Sequence, residues 1–196
     1  MTGSQDLPFV NITGQLVALG PLSLDLPYQR WYSDFSVTRT VGKSRPMTEE
    51  QAEAWYDKHS RVESETWFAV YERATWRPIG TTGLSDIDFQ NRRAEFGVII
   101  GEADCRGKGY GTETTRLMLD YAFTALGLHN VLLTVNEYNR EGIRAYTRAG
   151  FREIGRRRQC RLLGGKTWDV IYMDCIASEF ESPVLKHVFS TDTGSR

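Results

Sequence analysis

The order of strand and helix patterns along the chain predicts an α/β protein built on one mixed β-sheet with helices on its faces. Two observations carry this prediction. Strands and helices alternate only around a glycine-rich loop at residues 106–111. Three strand patterns stand together before that loop, and two strand patterns follow the alternating region. This order is typical of a mixed sheet and not of a fully wound parallel sheet.

The N-terminal half contains one strand, two helices and then two strands in direct succession. Alternating residues predict the first strand at 15–22, and residues 1–14 before it are expected to form a loose leader. Residues 48–51 have the spacing of a capping box, which opens the second helix. The other predicted elements are a helix at 25–34, a polar loop at 35–47, the second helix from 49 to about 62, and strands at 66–72 and 78–87.

The C-terminal half begins where the turn-rich residues 88–91 fold the chain back into a strand at 93–100. Asn139 and Gly150 are good capping residues for a short helix. The remaining elements are a helix at 112–126, a strand at 129–135, and a hairpin of 151–163 and 166–176 around Gly164-Gly165. We therefore expect a single domain at 15–176 and a polar, poorly ordered tail at 177–196.

Composition disfavours several classes of protein. Hydrophobic residues make up 40% and charged residues 25% of the 196 residues, as in an ordinary globular domain. No apolar run reaches the roughly 20 residues that cross a bilayer, and the net charge of −1 disfavours a nucleic-acid partner. Three widely spaced cysteines indicate reduced thiols in a cytoplasmic protein. Because His59, His129 and His187 lack metal-ligand spacing, no metal site is expected.

The most informative stretch is Arg106-Gly107-Lys108-Gly109-Tyr110-Gly111, between a hydrophobic strand and a helix. Glycines at alternate positions let the backbone approach a ligand closely, and the start of a helix directs free N–H groups at the same place. The loop therefore predicts an anion site for a phosphate. A nucleotide-binding P-loop would need a hydroxyl where Gly109 stands, and a dinucleotide fingerprint would need a glycine at Thr112 or Thr114.

A second motif lies downstream, where Asn139 and Tyr146 are seven residues apart and a Gly-Phe pair follows. Together with the glycine loop it resembles the GNAT superfamily of N-acetyltransferases over roughly residues 66–176, and within it the branch of ribosomal-protein N-terminal and spermidine acetyltransferases. The residues that match the superfamily are Arg106, Gly109, Gly111, Asn139, Tyr146, Gly150 and Phe151. The similarity to the branch lies in residues 93–96, residues 119–123 and the hairpin around Gly164-Gly165. The resemblance implies an acetyl-CoA-dependent N-acyltransferase. It also implies a mostly antiparallel central sheet with helices on both faces, in which two splayed strands hold acetyl-CoA.

The resemblance also assigns residues to the cofactor. The pantetheine arm would pair with one splayed strand, and the pyrophosphate would rest on N–H groups of the glycine loop. Asn139 and Tyr146 share one helix face, because seven residues make about two turns. An N-cap role alone for Asn139 and a core role for Tyr146 stay open. The expected cofactor residues are Val98, Ile99, Ile100, Arg106, Gly107, Lys108, Gly109, Tyr110, Gly111, Thr112, Asn139 and Tyr146.

Acetyl transfer to an amine needs two proton transfers. A lysine-like amine, with a pKa of about 10.4, must lose a proton before it attacks a thioester, and the departing thiolate gains from protonation. The resemblance makes Tyr146 the acid. Glu95, eleven residues before Arg106, matches the glutamate base of the histone-acetylating branch, although it can instead be a sheet carboxylate paired with Arg92 or Arg93. Weaker candidates, acting through water, are Asp86, Asp88 and Glu102.

Substrate choice is expected from the first half of the chain and from the terminal hairpin. The loop at 36–47 has three basic residues and no acid, whereas the spermidine enzymes have acidic residues in this region. This departure argues against polyamine specificity, while a contribution from Glu49, Glu50 and Glu53 stays open. An aromatic group, which either walls a small-molecule pocket or belongs to the core, consists of Trp31, Tyr32, Trp55, Tyr56 and Trp67.

Three functions stay open at this point. The first is an N-acetyltransferase for a primary amine of a small molecule, such as a polyamine, an amino acid or an amino sugar. The second is a protein acetyltransferase that acts on an N-terminal α-amine or a lysine. The third is a non-catalytic acyl-CoA-binding module, which the presence of Glu95, Asn139 and Tyr146 disfavours. A homodimer or a higher homo-oligomer also stays open.

Overall fold

The computed structural model describes residues 7–42 and 44–190, and one eight-stranded β-sheet forms its centre. The strands are β1 (Ile12–Thr13), β2 (Val17–Pro21), β3 (Thr66–Glu72), β4 (Pro78–Asp88), β5 (Arg93–Ile100), β6 (Asn130–Asn136), β7 (Arg152–Leu163) and β8 (Lys166–Ile176). They lie in the order β1-β2-β3-β4-β5-β6-β8-β7, and every neighbouring pair is antiparallel except β5 with β6. The predicted mixed, mostly antiparallel sheet is confirmed.

The parallel pair of strands separates soon after it forms. β5 and β6 are paired from Arg93 with Asn130 to Glu95 with Leu132, a run of three residue pairs. Beyond that run β5 stays paired with β4, and β6 stays paired with β8. The sheet therefore divides into a five-strand half and a three-strand half. We call the opening between β5 and β6 the fork.

Helices pack on the sheet between these strands. Within the described residues they are α1 (Tyr28–Ser33), α2 (Phe35–Thr38), α3 (Glu49–His59), α4 (Tyr110–Asp120), α5 (Arg140–Ala149) and α6 (Leu185–Val188). A π-helical turn at Tyr121–Ala125 extends α4. The predicted capping box of α3 is confirmed, because Thr48 and Gln51 exchange hydrogen bonds between side chain and backbone at 3.0 and 3.3 Å.

Apolar side chains form a core on each face of the sheet. On β3, Phe68 and Val70 pack into the larger core with α4, whereas Ala69 and Tyr71 pack into a second core with α1 and α3. Neighbouring residues of a strand point to opposite faces. Helices therefore cover both faces, as predicted.

The segment at 35–47, predicted to be a polar loop, is helical over its first residues. Asp34 caps α2, since its side chain accepts a hydrogen bond from Ser36 N at 2.8 Å, and a 3₁₀ turn at Arg39–Val41 follows. Val37 is 5% exposed. The prediction was wrong here because a four-residue helix is too short to show a periodic pattern. Lys43 lies outside the described residues.

Both terminal segments differ from expectation where the structure describes them. β1, inside the expected leader, pairs with β2. In the expected tail, Asp120 Oδ2 accepts hydrogen bonds from Val184 N and Leu185 N at 2.9 and 2.8 Å, and Leu185 is 4% exposed. The contacts of Asp120 span 64 and 65 residues and leave no local pattern, and a two-residue strand such as β1 is too short to show alternation. Residues 1–6 and 191–196 lie outside the described residues, and the domain boundaries at 15 and 176 stay a prediction.

Candidate active site

The glycine loop connects β5 to α4 and lines a cavity in the fork. Gly107 and Gly109 have φ angles of +72° and +88°, in the left-handed region that side chains disfavour. A Cβ atom at Gly107 or Gly111 would meet no described atom within 4 Å, so the backbone faces open space. The loop thus presents N–H groups and the N-terminus of α4 to that space, an arrangement that binds anions.

The side chains of this loop are directed differently. Arg106 lines the cavity, and its Nη2 donates to Ser36 Oγ at 3.2 Å. The Tyr110 hydroxyl donates to Glu72 at 2.7 Å, and this hydrogen bond raises the pKa of Tyr110 to about 12. Lys108 is exposed and does not line the cavity. The structure therefore brings Arg106 to the cavity and leaves Lys108 outside it.

The cavity extends from the glycine loop along β5 to α5. The predicted cofactor residues that line it are Val98, Ile99, Ile100, Arg106, Gly107, Gly109, Tyr110, Gly111, Thr112, Asn139 and Tyr146. Sequence reasoning missed a further wall, which consists of Ser36, Val37, Arg39, Thr40 and Val41. This wall is α2 and the turn after it, so a distant segment of the chain completes the cavity.

Helix α5 positions the two residues of the downstream motif. Asn139 caps the helix, since its Oδ1 accepts a hydrogen bond from Gly142 N at 3.0 Å, and it also lines the cavity. The Tyr146 ring packs edge-on against Phe96 and Phe151, with ring centroids 6.2 Å apart in both pairs. Burial raises the pKa of Tyr146 to about 12. Tyr146 is therefore protonated at neutral pH and can donate a proton.

Glu95 lies at the vertex of the fork, as the last residue of β5 that pairs with β6. Its neighbours Ala94 and Phe96 belong to the larger core, so Glu95 points to the opposite face of the sheet. Burial and the nearby carboxylate of Asp86 raise the pKa of Glu95. Because Tyr146 packs against the larger core, the two predicted proton-transfer groups lie on opposite faces of the sheet. Tyr146 lines the fork cavity, whereas Glu95 does not.

The arginines next to Glu95 have other partners. Arg92 Nε donates to the carbonyl oxygen of Gly127 at 2.7 Å, and Arg93 Nε lies 3.3 Å from Asp88 Oδ2. Among the described residues, no arginine or lysine forms an ion pair with Glu95. The structure therefore shows no contact that would support the alternative role of Glu95 as a sheet carboxylate paired with Arg92 or Arg93.

Two weaker candidates for the base are engaged in structural contacts. Burial alone would raise the pKa of Glu102, but hydrogen bonds from Arg30 and Trp31 hold it below its ordinary value. Asp88 accepts hydrogen bonds from Asn91 at 2.9 and 2.7 Å, which lower its pKa. A carboxylate with a lowered pKa is a weaker base, so both are poorer candidates than Glu95.

The aromatic group lies away from the cavity. Trp31 is fully buried and Tyr32 is 4% exposed. Trp55 and Trp67 are half-buried, and their ring centroids lie 4.4 and 5.1 Å from that of His59, which hydrogen-bonds to Glu65. None of the five predicted aromatic residues lines the fork cavity, so this group belongs to the second core and its rim.

Metal ligands, long helices and cysteines bear on other kinds of site in the part of the chain that the structure describes. It contains no group of three or more His, Cys, Asp or Glu side chains arranged to hold a metal ion. None of its helices is both long enough and apolar enough to cross a membrane. Its three cysteines are free, with Cys105 and Cys175 each 1% exposed and Cys160 half-buried.

The splayed sheet, the glycine loop in its opening and the capped helix α5 define the class of protein, which is that of the GNAT fold. Residues 17–152 match the family described as the acetyltransferase (GNAT) domain. The chain therefore belongs to the GNAT acetyltransferase family, as the sequence motifs predicted.

Several relatives of this chain are spermidine acetyltransferases. The spermidine N(1)-acetyltransferase of Escherichia coli (strain K12) is 38% identical over 96 residues, which are 49% of this chain and 50% of that protein. The match thus spans about half the length of that relative. The Vibrio cholerae counterpart is 33% identical over 131 residues, covering 67% of this chain and 75% of that protein.

A solved structure shares the fold. The crystal structure of spermidine N-acetyltransferase from Vibrio cholerae in complex with CoA and spermine has a TM-score of 0.75 at 26% identity, over 84% of this chain and 97% of that chain. The predicted resemblance to the spermidine acetyltransferase-like branch is thereby confirmed.

Proposed function

We propose that this protein is an N-acetyltransferase that transfers an acetyl group from acetyl-CoA directly to a primary amine of a small molecule. The observation that carries the proposal is the fork cavity, which connects an anion-binding glycine loop with Tyr146. A cofactor with phosphates at one end and a thioester at the other matches a cavity of this kind. The spermidine acetyltransferase relatives, one of them solved with CoA and spermine, support both the cofactor and an amine acceptor.

The residues present fit acetyl-CoA along its length. N–H groups at 106–112 would hold the pyrophosphate, and Arg106 adds positive charge. Beyond Glu95 the edge of β5 that faces β6 has no strand partner, so backbone groups of Val98 to Ile100 are free to pair with the amides of the pantetheine arm. Asn139 caps α5 with its oxygen, which leaves its amide nitrogen as a donor toward the cavity.

In the proposed mechanism, bound acetyl-CoA supplies a thioester whose carbonyl carbon bonds to the amine and whose sulfur departs. Glu95 accepts one proton from the ammonium form of the acceptor, so that the nitrogen gains a free lone pair. Tyr146 donates its phenolic proton to the sulfur. The nitrogen then returns a proton through solvent to the phenolate of Tyr146, and Glu95 releases its own proton to solvent. One proton is released in each cycle.

Direct transfer, without an acyl-enzyme, is part of the proposal. Cys105 lines the cavity, but it is 1% exposed and burial raises the pKa of its thiol. The reactive form of cysteine is the thiolate, which this environment disfavours. A cytoplasmic location is also proposed, and the three free cysteines support it.

The proposal is tested by measuring thiol release from acetyl-CoA with a panel of acceptors. The panel holds spermidine, ω-amino acids, amino sugars and a peptide with a free N-terminus and an internal lysine. We expect turnover with at least one small amine and an acetylated product by mass spectrometry. Turnover with the peptide alone would transfer the assignment to a protein acetyltransferase. Binding of acetyl-CoA without thiol release from any acceptor would contradict the proposal and favour an acyl-CoA-binding module.

A further inference from the structure

A second cavity lies beside the fork, and two arginines line it. Its lining residues are Thr134, Arg157, Cys160, Arg161, Val170 and Tyr172. We propose that this cavity binds an acid group of the acceptor, so that the substrate class is a small primary amine that also carries a carboxylate. The inference rests on the proposed function and narrows it, and it distinguishes this chain from relatives that act on spermidine.

The second cavity lies on the face of the sheet toward which Glu95 points. On β6, Leu133 and Val135 belong to the larger core, so Thr134 between them points to the opposite face. Glu95 pairs with Leu132, two residues before Thr134 on that same face. An acceptor whose amine reaches Glu95 can therefore extend along this face toward the arginines.

Asn136 connects the two cavities. Its Nδ2 donates to the carbonyl oxygen of Thr40 at 2.9 Å, and Thr40 lines the fork cavity. Its Oδ1 accepts a hydrogen bond from Arg161 Nε at 3.2 Å. Because Asn136 is 5% exposed, one buried amide fixes both the wall of the fork and the guanidinium of Arg161. A neutral partner orients Arg161 without cancelling its charge.

A bulge in β7 brings the two arginines to one face. Arg157 pairs with Val170 and Arg161 pairs with Trp168, so four steps along β7 cover two steps along β8. Residues two steps apart on β8 share a face, and their partners therefore do so as well. Gln159 in the bulge has a φ angle of +50°. Bulges of this kind redirect side chains next to functional sites.

The charge of this pair is uncompensated within residues 7–42 and 44–190. No carboxylate there lies within 4.0 Å of the guanidinium nitrogens of Arg157 or Arg161. Arg156 differs, since it lies 2.6 and 3.2 Å from oxygens of Glu153 and Glu137. Two guanidinium groups without a carboxylate partner in a concave site are well suited to a carboxylate, whose two oxygens match their donor geometry.

The spacing along β6 sets the length of the acceptor. From the row of Leu132 and Glu95 it is four residues, or roughly 13 Å at about 3.3 Å per residue, to the row that Asn136 and Val170 share with Arg157. The cavity begins nearer, at Thr134, two residues or roughly 7 Å from the row of Leu132. An α-amino acid is too short to place its amine and carboxylate at both ends. An ω-amino acid, with several methylene groups between the two, has the required length.

The first test compares three acceptors of equal length: 6-aminohexanoate, 6-aminohexanamide and 1,6-diaminohexane. For the wild-type protein we expect the highest kcat/KM with 6-aminohexanoate, the acceptor that carries a carboxylate. In Arg157→Gln we expect kcat/KM for 6-aminohexanoate to fall about tenfold, because a hydrogen bond to a charged group is lost, and kcat/KM for the other two acceptors to stay unchanged. The matched control is Arg158→Gln, because Arg158 is exposed and does not line the cavity. The inference would be overturned if the wild-type protein preferred 1,6-diaminohexane and Arg157→Gln showed the same preference.

The second test needs no acetyl transfer. Cys160 lines the cavity and is half-buried, whereas the other two cysteines are each 1% exposed. The arginines should accelerate alkylation of Cys160 by the anion iodoacetate relative to neutral iodoacetamide, and Arg157→Gln should lower this rate ratio about threefold or more. A ratio equal in wild type, Arg157→Gln and Arg158→Gln would overturn the anion site. If no amine is acetylated, the proposed function fails, and the alkylation ratio still decides whether the anion site exists.

Discussion

Two side chains at the fork have raised pKa values, and burial is the larger cause in both. For Tyr146 the value rises to about 12, which keeps the phenol protonated, as an acid requires. For Glu95 the rise brings the carboxyl closer to neutral pH, where a base is effective. Burial thus keeps the phenol of Tyr146 in its protonated form and makes the carboxylate of Glu95 a stronger base.

Replacement of Tyr146 by Phe tests the acid. Phe keeps the edge-on contacts with Phe96 and Phe151, so the fold is retained while the proton donor is lost. We expect kcat to fall by about 100-fold, at the lower end of what general acids contribute, with little change in the Kd of acetyl-CoA. Steady-state kinetics and calorimetry measure the two quantities. A kcat within about twofold of wild type, at unchanged thermal stability, would remove Tyr146 from the mechanism.

Replacement of Glu95 by Gln tests the base through the pH dependence of kcat/KM. Glu95 must be ionised to accept a proton, so activity is lost as pH falls through its pKa, which lies above the ordinary value of 4.5. The Gln variant should lose this acidic limb together with most of its activity. The acceptor amine also titrates, so the profile is repeated with an amine of lower pKa. The acidic limb caused by Glu95 should stay at the same pH, whereas a limb caused by the amine should move with the pKa of the amine.

At the scale of elements, the first turn of α4 holds the first hairpin of the sheet. The Glu113 carboxylate accepts hydrogen bonds from the backbone N–H groups of Gln15, Leu16 and Val17 at 2.8, 2.6 and 2.8 Å. One side chain thus ties the helix that follows the glycine loop to the start of β2. This anchor was not predicted, because its partners are almost 100 residues apart.

Replacement of Glu113 by Ala measures this anchor. The change leaves three N–H groups without their acceptor, and we expect the free energy of unfolding to fall by about 1.5–3 kcal/mol. Urea denaturation gives the value. Arg116→Ala is the control, since Arg116 is exposed on the same helix and its loss should stay within about 0.5 kcal/mol. Equal losses in the two variants would show that the three hydrogen bonds do not stabilise the hairpin.

Local signals explain which elements the sequence could predict. α3 and α5 begin at capping residues and were located correctly, as was the hairpin of β7 and β8. The wall of the fork formed by α2 has no local signal, because the segment is short and its contact with Asn136 spans 96 residues. The bulge at Gln159 has none either, because it contains no glycine or proline, although its partner Asp169 is only 10 residues away. The residues of the glycine loop were predictable from their spacing, whereas the exclusion of Lys108 depends on where its side chain points.

At the scale of the whole molecule, the fold is a sheet in two halves. Three residue pairs of β5 and β6 join the halves directly, and α4 packs against α5 across the fork. A ligand in the fork would contact both halves, through β5 and the glycine loop on one side and α5 on the other. Binding of the cofactor and stability of the fold are therefore coupled.

Coenzyme A should stabilise the folded protein through this coupling. At a free concentration of 100 times its Kd, a ligand adds about 2.7 kcal/mol, which corresponds to a rise in Tm of roughly 5–10 °C for a chain of this size. Hydrogen exchange should slow at residues 96–100 and 106–112, where strand edge and loop meet the ligand.

Gly109→Ala places a side chain at a φ of +88° in the loop and should reduce the rise in Tm. Gly164→Ala introduces similar backbone strain at a φ of +61° in the distant hairpin. Coenzyme A should raise the Tm of this variant by as much as it raises that of wild type. If both variants keep the full rise, the glycine loop is not where the phosphates bind.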